Sequence, residues 1–82
     1  DSGFVPRVRN IFRECVIKVD VAQNLVVIRT ITGMANAAAF ALDSMKINEI
    51  VGTIAGDDTV LIILKDNPTA ENFFMQTKEM LR

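Results

Sequence analysis

Two adjacent carboxylates, Asp57 and Asp58, follow Gly56 between two strongly apolar stretches of the sequence. Adjacent anions repel each other, and partial burial strengthens the repulsion. A cation bound between them would relieve it, so the pair is a candidate cation-binding site. Asp and Gly are also common in solvated turns, and the pattern alone leaves that plainer interpretation open.

A second polar pair lies on a predicted helix. Asn36 and Asp43 are seven residues apart, nearly two helical turns, so they share one side of that helix. The rest of the segment is rich in alanine and apolar, which predicts a helix buried on most sides. Buried polar groups need partners, and a ligand would supply them. Alternatively, Asn36 caps a loop and Asp43 pairs with Lys46.

The two pairs together offer three carboxylates and one amide in an aliphatic chain without histidine. A guanidinium fits such groups best, because a carboxylate accepts two parallel hydrogen bonds from it. A divalent metal ion is an alternative, since hard cations take oxygen ligands. Hydrolytic chemistry is not expected, because no histidine is present to activate a serine or threonine.

Composition narrows the class of protein further. The 82 residues suffice for one small domain, which is 50% apolar with a net charge of −1. The pI of about 5.2 argues against nucleic-acid binding by this chain alone, because such modules usually have a pI above about 9. No apolar run approaches the length of a membrane span, about 20 residues. A single cysteine, Cys15, favours a reducing cytoplasm over a disulfide framework.

Apolar periodicity predicts the elements that position these residues. A short helix is expected from Pro6, followed by strands, two further helices and a hairpin turn at residues 56–58. Thr32 and Asn67 are the expected N-caps of the later helices. The predicted strands are 15–21, 25–30, 49–55 and 59–65, and the later helices are 34–45 and 68–81.

The first strand is expected to turn Cys15, Ile17 and Val19 towards the core, which would bury the thiol. The order of elements predicts an α+β fold, with a four-stranded, mostly antiparallel sheet and helices packed on one face. Strands 25–30 and 59–65 are apolar on both faces. The second face of the sheet is therefore expected to meet another subunit.

Four stretches of the chain make a specific combination: residues 19–30, 33–36 (Gly-Met-Ala-Asn), 42–44 (Leu-Asp-Ser) and 52–59 (Gly-Thr-Ile-Ala-Gly-Asp-Asp-Thr). In this order they closely resemble the C-terminal domain of the bacterial arginine repressor family. The resemblance extends over residues 12–81, nearly the whole chain. It implies an α/β domain that binds L-arginine and assembles as a hexamer, a dimer of trimers, with the ligands between the trimers.

The resemblance also implies which residues bind L-arginine, and it implies neither a catalytic residue nor a cofactor besides this corepressor. Many members of the family have glutamine where this chain has Asn36, and the shorter amide is expected to reach the ligand less well or through water. The expected ligand-binding residues are the paired aspartates, the helix aspartate, the amide and two strand positions: Asp57, Asp58, Asp43, Asn36, Thr53 and Ala55.

The whole proteins of this family also carry an N-terminal winged-helix domain that binds operator DNA. DNA contact is therefore expected only through a part of the protein outside this chain. Residues 1–6 are expected to be the end of a linker, and residues 7–82 the arginine-binding oligomerisation domain. The resemblance predicts a cytoplasmic transcriptional regulator of arginine metabolism, without membrane contact, rather than an enzyme.

A second hypothesis comes from a different class of protein. Gly-Asp-Asp at a hairpin tip also resembles the metal-binding hairpin of template-directed polymerases, in which carboxylates hold two metal ions for phosphoryl transfer. Such a site needs a further aspartate on a neighbouring strand, and Asp20 is the one candidate. The chain is also too short to form a template channel.

Overall fold

The computed structural model describes the backbone of residues 4–81 and the side chains of residues 9–81. Helices and strands follow one another in the order that the sequence predicts. The first helix begins two residues before Pro6, so residues 4–6 of the predicted linker are helical, and residues 1–3 lie outside the described residues. The elements are α1 (Phe4–Cys15), β1 (Val16–Ala22), β2 (Leu25–Thr30), α2 (Ala35–Ser44), β3 (Ile50–Ala55), β4 (Thr59–Leu64) and α3 (Asn67–Met80).

The four strands form one sheet in the order β1-β2-β4-β3, and each neighbouring pair is antiparallel. This confirms the predicted α+β class. Two hairpins, β1–β2 and β3–β4, pair through their second strands, so β2 and β4 are central and β1 and β3 are the edges. The central position explains why β2 and β4 are apolar on both faces.

The core lies between one face of the sheet and the helices. Every second residue of the central strands is completely or almost completely buried there, and Phe12, Leu42 and Phe73 cover them from the three helices. The strand residues concerned are Val26, Ile28, Val60, Ile62 and Leu64.

The opposite face of the sheet is also apolar, and its central residues are only half-buried. Val27 and Leu61 pair across the central strands there, beside Ile63. Ile54, the partner of Leu61 on the edge strand β3, is 63% exposed. Single-chain packing therefore leaves this face of the sheet open to solvent.

The predicted alternation of β1 is wrong at Ile17. A β-bulge lies between Val16, which pairs with Thr30, and Lys18, which pairs with Arg29, so Ile17 is the extra residue. Its side chain turns outward and is 66% exposed, whereas Val19 is buried as predicted.

Both predicted helix caps are wrong. Asp66 rather than Asn67 caps α3, because its carboxylate accepts a hydrogen bond from the Thr69 N–H at 2.8 Å. The hydrogen bonds from Thr69 hold the pKa of Asp66 below its ordinary value. Thr32 does not cap α2, which begins after Met34 without any side-chain cap.

No helix in residues 4–81 combines the length and the apolar character that crossing a bilayer requires. The longest helix, α3, has 14 residues, which is about 21 Å at the rise of an α-helix.

Candidate functional site

An open groove of about 420 Å³ runs between helix α2 and the edge strand β3. Its volume lies within the range of pockets that bind small molecules, about 300–1,000 Å³. Four of the six predicted ligand-binding residues meet there. The lining residues are Asn36, Ala39, Phe40, Asp43, Thr53 and Ala55.

Helix α2 supplies the polar wall of this groove through its helical period. Asn36 and Asp43 lie on the exposed side of α2, with Phe40 between them, while Ala38 and Leu42 pack into the core. The prediction that α2 is buried on most sides is therefore wrong for the single chain. The Phe40 side chain is 75% exposed, although its type and its alanine-rich neighbours suggested burial.

Strand β3 supplies the opposite wall. Thr53 and Ala55 pair with Ile62 and Val60, two buried residues of β4, and therefore share the face of the sheet that bears the helices. The Thr53 hydroxyl donates a hydrogen bond to Oδ1 of Asp43 at 3.3 Å. This bond joins the two walls, and Asp43 takes it in place of the suggested ion pair with Lys46.

The Asp57–Asp58 pair lies in the β3–β4 turn and does not line the groove. Asp57 is exposed and Asp58 is half-buried. One carboxylate oxygen of Asp58, Oδ2, lies 3.4 Å from Nη2 of Arg29, and the other accepts a hydrogen bond from the Thr59 hydroxyl at 3.0 Å. Both oxygens of Asp58 thus have partners within the chain.

Main-chain hydrogen bonds tie this turn to the start of α2. The Asp57 carbonyl accepts from the N–H groups of Gly33 at 3.1 Å and Ala35 at 3.3 Å, and Ala35 is the first residue of the helix, whose N–H has no partner within the helix. The Asp58 carbonyl accepts from the Thr30 N–H at 2.7 Å. Gly33 permits the sharp connection because its φ of 83° is unfavourable for other residues.

Arg29 also belongs to this region, although residue types and spacing did not predict it. It stands near the end of the otherwise apolar strand β2 and pairs with Thr59, the residue after Asp58. A charged residue in an otherwise apolar strand is a signal of a specific role, and the sequence shows it. Its meaning depends on β2 and β4 being neighbours, which residue spacing alone does not reveal.

The geometry of the carboxylates does not favour the metal-binding hypothesis. Within the part of the chain that the structure describes, no three His, Cys, Asp or Glu side chains come close enough together to hold a metal ion. Asp20 lies on the edge strand β1, opposite Val27, and pairs with Lys18 at 3.4 Å. Strand β2 separates it from β4, so it does not supply a further carboxylate to the Asp57–Asp58 turn.

Fold and groove together define the class: a small α+β domain with an open groove lined by carboxylate, amide and hydroxyl groups, in a chain without histidine. The family model described as "Arginine repressor, C-terminal domain" matches residues 12–79. The chain therefore belongs to the arginine repressor C-terminal domain family, as its resemblance predicted.

Curated relatives agree with this assignment. Proteins named arginine repressor are 44% identical to this chain over 81 residues in Caldicellulosiruptor saccharolyticus, and 42% identical over 82 residues in Acetivibrio thermocellus. The alignments cover 99% and 100% of this chain, but only 53% and 54% of those proteins. The chain thus spans about half the length of these relatives. Their name is that of transcription regulators and not of enzymes, which matches the predicted class.

Proposed function

We propose that this chain is the L-arginine-sensing and oligomerisation domain of a transcriptional repressor. The observation that carries the proposal is the groove in which Asn36, Asp43, Thr53 and Ala55 converge, in a member of this family. The Asp43 carboxylate suits the α-amino end of an amino acid, because hydrogen bonds between ionised groups are the stronger ones. The amide and hydroxyl groups beside it suit the α-carboxylate end, so the guanidinium is left for the paired aspartates.

The paired aspartates are proposed to reach the ligand from another subunit. Asp57 and Asp58 stay outside the groove of their own chain, so one chain by itself offers an incomplete set of predicted contacts. A hexamer built as a dimer of trimers would bring the turn of one subunit to the groove of another. The open apolar face of the sheet supports assembly, because large exposed apolar surfaces usually mark interfaces.

Regulation follows from the charges of this arrangement. Without ligand, repeated carboxylates at one interface repel each other, whereas a bound guanidinium replaces that repulsion with charge-assisted hydrogen bonds. L-arginine, the corepressor, would then favour the assembled state, and the assembled state would bind it more tightly by the same factor. Operator DNA is contacted by the part of the protein outside this chain, and the repressor acts in the cytoplasm on genes of arginine metabolism.

Calorimetry with L-arginine and with L-citrulline tests the proposed ligand class, because citrulline has nearly the same shape but carries an uncharged ureido group. We expect arginine to bind wild type, and citrulline to bind more weakly by at least tenfold. Asp43→Asn should weaken arginine binding by about 1.5–3 kcal/mol, the range for hydrogen bonds to charged groups. Lys46→Gln, two residues beyond the end of the same helix, is the control and should bind as wild type does. Equal binding of arginine and citrulline, or no arginine binding by wild type, would contradict the proposal.

A further inference from the structure

Phe40 is an exposed aromatic side chain in the wall of the candidate ligand groove. Among the phenylalanines of residues 9–81, whose side chains the structure describes, it alone is exposed, at 75%. Aromatic side chains are common in the walls of small-molecule sites. We propose that the Phe40 ring stacks on the guanidinium of bound L-arginine and thereby makes the site selective for a cationic side chain. This inference rests on the proposed function.

The period of helix α2 puts the ring between the two polar groups of the groove wall. Phe40 comes four residues after Asn36 and three residues before Asp43, which is about 6 Å and about 4.5 Å along the helix axis. Residues at these spacings share one side of a helix. All three side chains line the groove. A ligand held by the amide and the carboxylate therefore lies against the ring.

The groove offers little other apolar surface. Besides Phe40, its apolar lining consists of Ala39 and Ala55, whose side chains are single methyl groups, and the remaining residues are polar. A ring among small and polar groups is a poor match for another subunit, because the core of an interface packs large apolar side chains together. It suits a ligand such as arginine, which carries a planar cation on an apolar stem.

The ring recognises a side of the ligand that the carboxylates leave free. Asp57 and Asp58 of another subunit, as proposed above, accept hydrogen bonds from the edge of the guanidinium, in its plane. An aromatic ring attracts a cation over its face, and the flat guanidinium stacks there. Because the two contacts use different sides of one group, they can be made together. The exposed Phe40 ring also faces the solvent from which that turn would approach.

The size of the effect follows from the exposure of the ring. A cation–π contact at an exposed site corresponds to about a two- to fivefold change in affinity. Leucine keeps an apolar side chain against the stem of the ligand but has no aromatic face, so Phe40→Leu removes the stacking contact selectively. Citrulline has nearly the shape of arginine but no charge, and its binding should depend much less on the aromatic face.

The experiment is calorimetry of wild type, Phe40→Leu and Met75→Leu with L-arginine and with L-citrulline. It gives the ratio of the two affinities for each protein, which cancels any change in assembly that affects both ligands alike. We expect this ratio to fall by about two- to fivefold in Phe40→Leu and to stay within about 1.5-fold of wild type in Met75→Leu. Met75 is the control position, because it is 62% exposed on α3 and does not line the groove.

Melting curves verify that each variant is folded. If Phe40→Leu does not fold, Phe40→Met replaces it with the same expectation, because methionine also lacks an aromatic face.

The outcomes separate this inference from the proposed function. If wild type prefers arginine to citrulline and Phe40→Leu keeps the same ratio, the inference is overturned while the proposed function stands. An equal fall of the ratio in Met75→Leu also overturns it, because the effect would then not come from the groove. If wild type does not bind arginine, or binds both ligands equally, the proposed function fails and takes the inference with it.

Discussion

Two acidic side chains of the candidate site, Asp43 and Asp58, are held by contacts within the chain that a bound ligand could replace. Asp43 accepts a hydrogen bond from Thr53, and Asp58 accepts one from Thr59 and faces Arg29. These groups are exposed or half-buried, so their contacts are worth little in free energy compared with buried pairs. Carboxylates held in this way keep a defined orientation without a large energetic cost of release.

Cys15, by contrast, is placed for packing and not for chemistry. It is the last residue of α1 and not the first residue of β1, as the alternation predicted. It is only 3% exposed. Burial, followed by the nearby charge of Glu14, raises the pKa of the thiol above its ordinary value. A raised pKa means less thiolate at any given pH, and the thiolate is the reactive form.

We therefore expect Cys15 to react with a disulfide reagent at least tenfold more slowly in the folded chain than in denaturant at pH 8. The rate should rise with pH and keep rising beyond the pH at which the reaction of the unfolded chain levels off, because the folded thiol ionises later. The measurement is the absorbance change on labelling, followed from pH 7 to pH 10. Rapid labelling of the folded chain at neutral pH would show that the thiol is accessible.

Helix α2 and the β3–β4 hairpin act as one unit in shaping the groove. The Asp57 carbonyl accepts a hydrogen bond from the N–H of Ala35, the first residue of the helix, and the Thr53 hydroxyl of β3 donates one to Asp43 near the end of the helix. The helix is thereby fixed to the hairpin at both ends, although it has no side-chain cap. A change in the turn is therefore transmitted to the groove wall through main-chain hydrogen bonds.

Periodicity predicts the helices and strands well here, because their apolar positions follow regular spacings. The order of all seven elements, and the exposed side shared by Asn36 and Asp43, follow from that spacing. Periodicity does not predict features that depend on a single residue or on the pairing of strands that are distant in the sequence. The bulge at Ile17 is a one-residue shift in register, the contact of Arg29 needs the β2–β4 pairing, and the exposure of Phe40 arises because α2 packs through one side only.

Phe12 and Phe40 are the same residue type at a buried and at an exposed helix position. Replacing each with alanine therefore tests which helix faces stabilise the single chain. Phe12 of α1 is completely buried, whereas Phe40 of α2 is 75% exposed. Phe12→Ala should lower the free energy of unfolding by about 3–5 kcal/mol, because it leaves a cavity in the core. Phe40→Ala should change it by less than about 0.5 kcal/mol, the usual range for surface positions.

Denaturant unfolding at low protein concentration, where assembly is minimal, measures both values. If the two variants lose similar stability, Phe40 is packed against other side chains in the folded chain, and this result would contradict an open groove beside it. Far-UV circular dichroism of each variant verifies that the native secondary structure is retained before unfolding.

The exposed apolar surface of this domain is more typical of a subunit in an assembly than of an isolated protein. Helices cover one face of the sheet, while the other presents Val27, Leu61 and the exposed Ile54 in one row across the strands. The predicted ligand contacts are likewise divided between a groove and a separate turn. Both features favour assembly, and the family resemblance predicts its form, a hexamer or a trimer in equilibrium with a hexamer, which light scattering over a dilution series would detect. A monomer near 9 kDa at every concentration would contradict it.

Ligand binding and assembly should be linked through Asp58, and a melting experiment measures this linkage. At an arginine concentration about 100 times the dissociation constant, binding to the assembled state should stabilise it by about 2.7 kcal/mol per site. Asp58→Asn should lose most of this gain, because an amide offers one acceptor oxygen and no negative charge to a guanidinium. Without arginine the variant should assemble at least as readily as wild type, since the substitution also removes repulsion between carboxylates.

Thermal melting and sedimentation of both proteins, with and without L-arginine, give the comparison. Glu71→Gln, an exposed substitution that removes one carboxylate on α3 away from groove and turn, is the control and should keep the full arginine-dependent shift. If Asp58→Asn keeps that shift as well, the paired aspartates form a solvated turn and the groove alone binds the ligand.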